Sequence, residues 1–298
     1  MSDLYLDHIL IGVRDLDRTP QTFGNSIGLT VTPEGIHPGR GSHNRLIVFG
    51  PEYLELISIH DRIGPVFRPN LIPFLDSREG LFIFALGTHG IESGVEELRA
   101  HGLEVEDPIA GARHAEDGTT AYSWLQAAID KAGTPGSQTF LMQHNDPFEE
   151  RFREPAEPAE HANGALGVHH LGLAVRDAET AASQWERAFG LSRRESDRRG
   201  DVGLRRTSLA LGNCTLDFLS PSEGGVLAEF LDRYGEAPYE LALDVRDISV
   251  AKDYLQEHGV TTSGTPDGSL VVDPAYVHGV RLVLLADGEE RSGARRNP

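Results

Sequence analysis

The stretch LDHILIGVRDL at residues 6–16 returns, altered, as VHHLGLAVRDA at residues 168–178. At a shift of 162 the register holds without a gap: His8 falls on His170, Val13-Arg14-Asp15 on Val175-Arg176-Asp177, Phe23 on Trp185, Gly28-Leu29 on Gly190-Leu191 and Glu55 on Asp217. A histidine and an acid therefore stand 47 residues apart in both copies. Such a repeat constrains the fold more than any single motif, because each copy must build the same unit and bury its apolar face against a neighbour.

Each copy reads as a strand, a helix and further strands. In DHILIGV, the residues Ile9, Ile11 and Val13 alternate with Leu6, His8, Leu10 and Gly12, the period of a strand with two different faces. RDAETAASQWERAFG places Ala181, Trp185, Ala188 and Phe189 at helical spacing and ends on Gly190. The first copy carries Pro20 in the corresponding segment, so its helix should begin late or bend. Arg14, Arg176 and Arg246 with their following aspartates mark the corner and helix start. RLIVFG and YLELISI are too short for helices and read as strands, which makes each unit a βαβββ module. Fainter copies at 80–105 and 238–262 match each other at a shift of 157 through Ala85/Ala242, Leu86/Leu243, Leu98/Leu255 and His101-Gly102/His258-Gly259. Four modules follow, at 4–61, 79–146, 166–222 and 237–288, arranged as two pairs spanning 1–147 and 165–298. The charged, proline-bearing segment 148–164 is expected to link them.

No apolar run of the 298 residues approaches a membrane span, so no membrane partner is expected and the chain reads as cytoplasmic. Cys214 is the single cysteine, which excludes an internal disulfide and a thiolate zinc cluster; it reads as a small buried thiol. The net charge of −19 repels phosphate backbones and argues against nucleic acid. The expected partner is a small-molecule substrate, with a homodimer left open.

Four βαβββ modules, with His on a first strand and an acid on the last, resemble the vicinal oxygen chelate superfamily of glyoxalases, extradiol dioxygenases, epimerases and bleomycin-resistance proteins. GIHPGRGSHNRLIVFGPEYLELI (35–57) and HANGALGVHHLGLAV (161–175) resemble its glyoxalase-like domain branch. The resemblance implies an α+β fold in which the modules pair into two half-open β-barrels. It also implies a cleft lined by first and last strands, with a divalent ion (Mn, Fe, Zn, Co or Ni) held on them.

Strand alternation tests each candidate ligand. On YLELI, Leu54 and Leu56 take the helix-covered face, so Glu55 points to the cleft, as His8 does opposite Ile9 and Ile11. On TFLMQH, Phe140 and Met142 read as the core face and leave Leu141 and Gln143 toward the cleft. The amino-terminal metal set is thus His8, Glu55 and Gln143, while Ile83 stands where a further ligand would come from the second module. The carboxy-terminal alternative is His170, Asp217 and Glu240, preferring His170 to His169, with Val283 at the fourth position. We weight the first cleft, because it also receives the loop HPGRGSHN (37–44), whose glycines allow a ligand close to the backbone. Its Arg40, His43 and Asn44, with Gln143, are the expected substrate-binding residues, and Glu55 and His37 the catalytic ones. The loop lacks the Lys and following helix of a phosphate-binding loop.

The resemblance and these residues imply a metal-dependent lyase or isomerase. A divalent ion would chelate two neighbouring oxygens of a small substrate and stabilise enolate-like charge. A cleft carboxylate or His37 would move the proton. Two alternatives stay open: a metal-free protein that sequesters a small molecule between aromatic walls, and an extradiol-type dioxygenase, whose usual ligand set Glu240 and Val283 do not match.

Overall fold

Alternating strands and capped turns repeat along the chain in one order. The computed structural model describes residues 4–62, 70–115, 117–151, 160–194 and 203–286. The first module holds β1 (Tyr5–Gly12), β2 (Gly35–Ile36), β3 (Ser42–Val48) and β4 (Tyr53–Ile59). A short helix, α1 (Leu71–Ser77), leads into the second: β5 (Gly80–Gly87), α2 (Ile91–Ala100), β6 (Ile109–His114), β7 (Thr120–Ile129) and β8 (Thr139–His144). After one turn of helix, α3 (Phe148–Arg151), come β9 (Ala165–Ala174), α4 (Ala178–Phe189), β10 (Arg193–Arg194), β11 (Leu204–Leu211) and β12 (Cys214–Pro221). Helix α5 (Val226–Tyr234) then leads into β13 (Ala237–Val245), α6 (Ile248–Glu257), β14 (Thr262–Gly264), β15 (Leu270–Val272) and β16 (Arg281–Ala286).

The corner aspartates act as caps. Asp15 accepts from the Asp17 amide, Asp177 from Thr180 and Asp247 from Ser249 and Val250. Beyond its cap, α4 runs twelve residues to Gly190, whose φ of 70° closes it in the left-handed region. The matching segment of the first module is broken, as Pro20 requires: a 3-10 turn over Leu16–Arg18 gives way to a wider turn over Pro20–Ser26.

In each half the first strands of the two modules lie side by side and antiparallel, β1 on β5 and β9 on β13. Each also pairs in parallel with the last strand of its own module, His8 with Tyr53 and Leu10 with Glu55, then His170 with Thr215 and Gly172 with Asp217. The shift of 162 thus holds in space as in sequence. The halves differ in closure. The first is a closed barrel in the order β1-β4-β3-β2-β6-β7-β8-β5, sealed where Ile36 meets His114. The second is an open eight-stranded sheet with β10 and β14 at its edges.

One face of both sheets forms a shared core. Ile9, Ile11, Leu54, Leu56, Phe84 and Leu141 from the first half join Leu171, Leu173, Trp185, Phe189 and Phe218 from the second. Trp185 stacks on Phe84 at 5.8 Å and donates its indole N–H to the Pro135 carbonyl at 3.0 Å. The barrel interior is a separate apolar lining that includes Leu10, Tyr53, Tyr122, Trp124, Phe140 and Met142. Of the segment 148–164 expected to link the halves, the end is seated on the first module: the Thr30 amide donates to His161 Nδ1 at 2.9 Å and the Asn163 amide to the Gly28 carbonyl. Residues 152–159 lie outside the described ones. Cys214 is buried, as expected of a small thiol in the core. Among the described residues no helix is long and apolar enough to cross a membrane.

Candidate functional site

Inside the first barrel, inward positions of five strands and one loop meet around a small hollow of about 30 Å³ that opens to solvent. From β1 comes His8, from β4 Glu55, from β3 Ser42 and Asn44, and from the 37–41 loop His37 and Arg40. His8 Nε2 lies 3.4 Å from Glu55 Oε2, and His37 Nε2 lies 3.5 Å from Glu55 Oε1. The far nitrogen of each ring is anchored: His8 Nδ1 hydrogen-bonds Asp7 at 2.7 Å and His37 Nδ1 hydrogen-bonds the Ser42 hydroxyl at 2.9 Å. Asn44 donates its amide to Glu55 Oε1 at 2.7 Å, and Arg113 Nε donates to the Asn44 oxygen at 2.9 Å. Every functional group at the centre is therefore oriented by a second one.

Asp7 and His8 both reach this network although they are neighbours on a strand. The register of β1 against β5 slips between Leu6 and His8, and such a bulge re-aims a side chain. Asp7 is fully buried and also accepts from His144 Nε2 at 3.0 Å, giving a line His144, Asp7, His8, Glu55, His37. Burial alone would raise Asp7, but His144 and His8 hold it well below the usual carboxylate range. For His8, burial works downward and is outweighed by Asp7 and Glu55, so the imidazole titrates above its ordinary value. Burial would likewise raise Glu55, yet its contacts with His8, His37 and Asn44 bring it down to about 2. The Tyr122 phenol, raised mainly by burial, is pushed up to about 12 and stays a neutral donor at physiological pH.

Two expected residues lie elsewhere. Gln143 does not face the hollow: its Oε1 accepts from the Ile91 amide at 2.7 Å and caps the start of α2. Phe140 and Met142 take the inward positions instead and line the cavity. Assigning the larger apolar residues to the helix-covered face fails here because the barrel interior is itself apolar. Pairing carries the correct signal: Ala85 opposes Phe140 as Ala242 opposes Val283, the position already assigned to a cleft in the second half. His43 is on the outer side of β3, bonded to Glu34 at 2.7 Å, while Ser42 and Asn44 on either side of it point inward. Sequence reasoning also missed Asp7, Ser42, Arg113, Gln126 and His144. The apparent strand parity of Asp7 gave no hint of it.

The second half places His170, Asp217 and Glu240 together, but arginine fills the space among them. His170 Nε2 is 3.0 Å from Glu240 Oε1 and 3.9 Å from Asp217 Oδ2. Arg206 donates to Asp217 Oδ2 at 2.6 Å and approaches Glu240 at 3.7 Å, and Arg281 Nε donates to Glu240 Oε2 at 2.8 Å. Arg206 occupies the repeat position of Asn44, so the residue that offers one neutral N–H to the acid in the first half offers a guanidinium in the second. His169 turns to His170, their Nδ1 atoms 2.9 Å apart, across the bulge that matches Asp7.

Among the described residues no group of three His, Cys, Asp or Glu side chains is arranged as it stands to hold a metal ion. The expected set of His8, Glu55 and Gln143 is not assembled, and the alternative set does not fit because its acids already neutralise two arginines. By donor chemistry alone, His8, His37 and Glu55 are the side chains that would suit such an ion, two imidazole nitrogens beside one carboxylate, each ring fixed through its other nitrogen.

Comparison with known proteins agrees with the fold. Residues 6–189 match the model of a family described as glyoxalase-like domain, and residues 169–270 match that of the glyoxalase/bleomycin resistance protein/dioxygenase superfamily. An ethylmalonyl-CoA/methylmalonyl-CoA epimerase of Cereibacter sphaeroides is 29% identical over 100 residues, 33% of this chain and 75% of that protein. Among solved structures, a hypothetical protein from Staphylococcus aureus superposes with a TM-score of 0.67 at 16% identity, covering 95% of this chain and 100% of that one. A mutant of 4-hydroxymandelate synthase from Streptomyces coelicolor gives 0.69 at 14% identity, covering 98% and 96%. At these identities the two structures speak for the fold alone.

Proposed function

The chain belongs to the glyoxalase-like domain family, within the vicinal oxygen chelate superfamily, and from that premise we propose that its first barrel is the active site of a metal-dependent lyase or isomerase acting on a small oxygenated molecule. The observation that carries this reading is the meeting of His8, His37 and Glu55 in one small hollow, with Asp7, Ser42 and Asn44 fixing their orientation. His8, Glu55 and His37 would hold the divalent ion. Bound there, such an ion polarises a substrate oxygen and stabilises developing negative charge.

The chain's own groups do the rest. With both imidazoles given to the ion, Glu55 is the candidate for moving a proton at the carbon beside that oxygen, through the carboxylate oxygen the ion would leave free. Asn44, held by Arg113, keeps the carboxylate in one orientation. Tyr53, Tyr122, Trp124 and Phe140 wall the hollow and keep bulk water from the reacting carbon. The epimerase among the relatives supports the isomerase side. Extradiol-type dioxygenation would draw on His170, Asp217 and Glu240, which the arginines engage.

Elemental analysis of protein purified without chelator tests the reading. Stoichiometric Mn, Fe, Zn, Co or Ni is expected, lost in His8→Ala and kept in His170→Ala; loss in His170→Ala alone would move the site to the second half. The aromatic walls favour one second reading, a metal-free protein that sequesters a small molecule. Metal absent from every preparation would select it.

A further inference from the structure

We propose that the open groove between the two halves binds a small carboxylic acid, whose carboxylate is received by Arg78 and Tyr234. This site lies outside the first barrel and does not depend on the function proposed for it. Arg78 and Glu79 ahead of β5 line one side, and Phe230 and Tyr234 of α5 with Ala275 and His278 before β16 line the other, around about 440 Å³. The guanidinium carbon of Arg78 lies 4.8, 5.1 and 4.5 Å from the ring centres of Phe74, Phe230 and Tyr234. Three rings thus hold it in place without taking its N–H groups. Among the described residues no oxygen accepts from the Arg78 side chain and no carboxylate pairs with it, and the Tyr234 hydroxyl is likewise unbonded. Burial lowers the guanidinium from its ordinary value, as befits a charge drawn partly out of water with no anion opposite it.

The repeated plan of the fold does not call for this arginine. At the shift of 157, Glu79 falls on Glu236 but Arg78 falls on Gly235. Both acids do one structural job: Glu79 accepts from the Arg14 amide at 2.7 Å and Glu236 from the Arg176 amide at 2.9 Å. Glu79 Oε1 also bonds His278 Nδ1 at 3.1 Å, so the acid in the groove is engaged by backbone and imidazole. Arg78 has no counterpart in that scheme. His278 is the one non-glycine residue at positive φ among the described residues, at 52°, and is held there by Glu79, by Thr22 at 3.0 Å and by stacking on Phe23. Backbone strain of this kind gathers at ligand sites. The turn is pressed against the first half, since a Cβ on Gly279 would stand 3.2 Å from the Glu79 carbonyl oxygen. A ligand therefore meets a groove whose two sides are already set. One uncommitted cation beside Glu79, in a chain of net −19, suits a single negative charge better than a doubly charged phosphate. A planar carboxylate matches the guanidinium plane, and the Tyr234 hydroxyl offers a further donor. The rings of Phe230 and Tyr234 suit an apolar body.

Isothermal titration calorimetry on the full chain tests this with phenylacetate, phenylacetamide and phenyl phosphate. Phenylacetate should bind about tenfold or more tightly than its amide, since a charge-assisted bond is lost in the latter, and more tightly than phenyl phosphate. Arg78→Gln should abolish the preference for the acid, Arg78→Lys should keep part of it, and Tyr234→Phe should weaken it. Ala275→Trp, which fills the groove from an exposed position and leaves the guanidinium intact, should weaken acid binding about tenfold and decides the matter if Arg78→Gln does not fold. Equal affinity for acid and amide in the unaltered protein, no binding of the acid at millimolar concentration, or tighter binding of phenyl phosphate overturns the proposal. So does acid affinity unchanged in Arg78→Gln or in Ala275→Trp. Acid binding that His8→Ala abolishes and Arg78→Gln leaves intact would put the acid in the barrel, sinking this inference and sparing the enzyme reading; metal absent from every preparation does the reverse.

Discussion

Replacing Asp7 with Asn removes a buried charge that both His8 and His144 contact, at 2.7 and 3.0 Å. Breaking a buried, hydrogen-bonded charge network costs about 3 kcal/mol, so urea unfolding at neutral pH should show Asp7→Asn destabilised by that order. Metal content or affinity should fall by roughly 10–100-fold, because the anchor that turns His8 Nε2 toward Glu55 is weakened. Unchanged metal affinity would remove Asp7 from the site's supporting shell. The side chains at the centre differ in how legible they are. His8 and Glu55 are readable from alternation and from the repeat, and His37 from its place on a glycine-bracketed loop. Asp7 is not, because a bulge breaks the alternation that any parity argument assumes. Phe140 and Gln143 exchange places for a different reason: both faces of β8 bury apolar residues, so size does not tell inside from outside.

At the level of elements, the two copies have kept one plan and changed its details. Asp177 caps a twelve-residue helix, whereas Asp15 caps a three-residue turn before Pro20. Removing the first cap should cost more: Asp177→Ala is expected to lose about 1 kcal/mol, measured by denaturant unfolding, and Asp15→Ala less. The helix break was legible because proline acts locally. The difference between a closed barrel and an open sheet was not, since closure rests on one contact, Ile36 with His114, between strands far apart in sequence. The clefts diverge in the same way. In β3 the inward residue that donates to the acid is Asn44; in β11 it is Arg206, which sits with Arg281 on the buried acids Asp217 and Glu240. Burial would raise Glu240, but His170 and these arginines bring it down to about 2. Arg206→Ala leaves Asp217 without its guanidinium and should destabilise the chain by about 3 kcal/mol, with Arg206→Lys recovering part. A neutral outcome in the same unfolding assay would show that the cluster contributes little.

Across the whole molecule, the halves share one core and are fastened by polar contacts. Asn213 reaches from the β11–β12 turn to bond both the amide and the carbonyl of Leu6, and His101 bonds the Ala188 carbonyl. His161, on the connecting segment, adds acid sensitivity. Burial depresses its imidazole to about 4, and its Nδ1 accepts from the Thr30 amide, so the folded state needs it neutral. Its contribution is intact above the unfolded value near 6.5 and is lost as pH falls toward 4, because the unfolded chain binds the proton first. Linkage puts the loss at about 2 kcal/mol by pH 5, and His161→Gln, which keeps an acceptor for Thr30, should flatten that slope. The shared core makes a stronger demand. The two tryptophans lie one in each half, Trp124 in the barrel wall and Trp185 at the junction, stacked on Phe84 and bonded to Pro135. If the helix-covered faces of both sheets are one apolar core, neither half can open without exposing the other. Trp124→Phe leaves fluorescence that reports the junction, and Trp185→Phe leaves fluorescence that reports the barrel. In each variant the fluorescence midpoint in urea should coincide with that of far-UV circular dichroism, which follows both halves together. A fluorescence transition displaced from the circular dichroism transition in either variant would mean that the halves unfold separately, and that their common core contributes less than its burial implies.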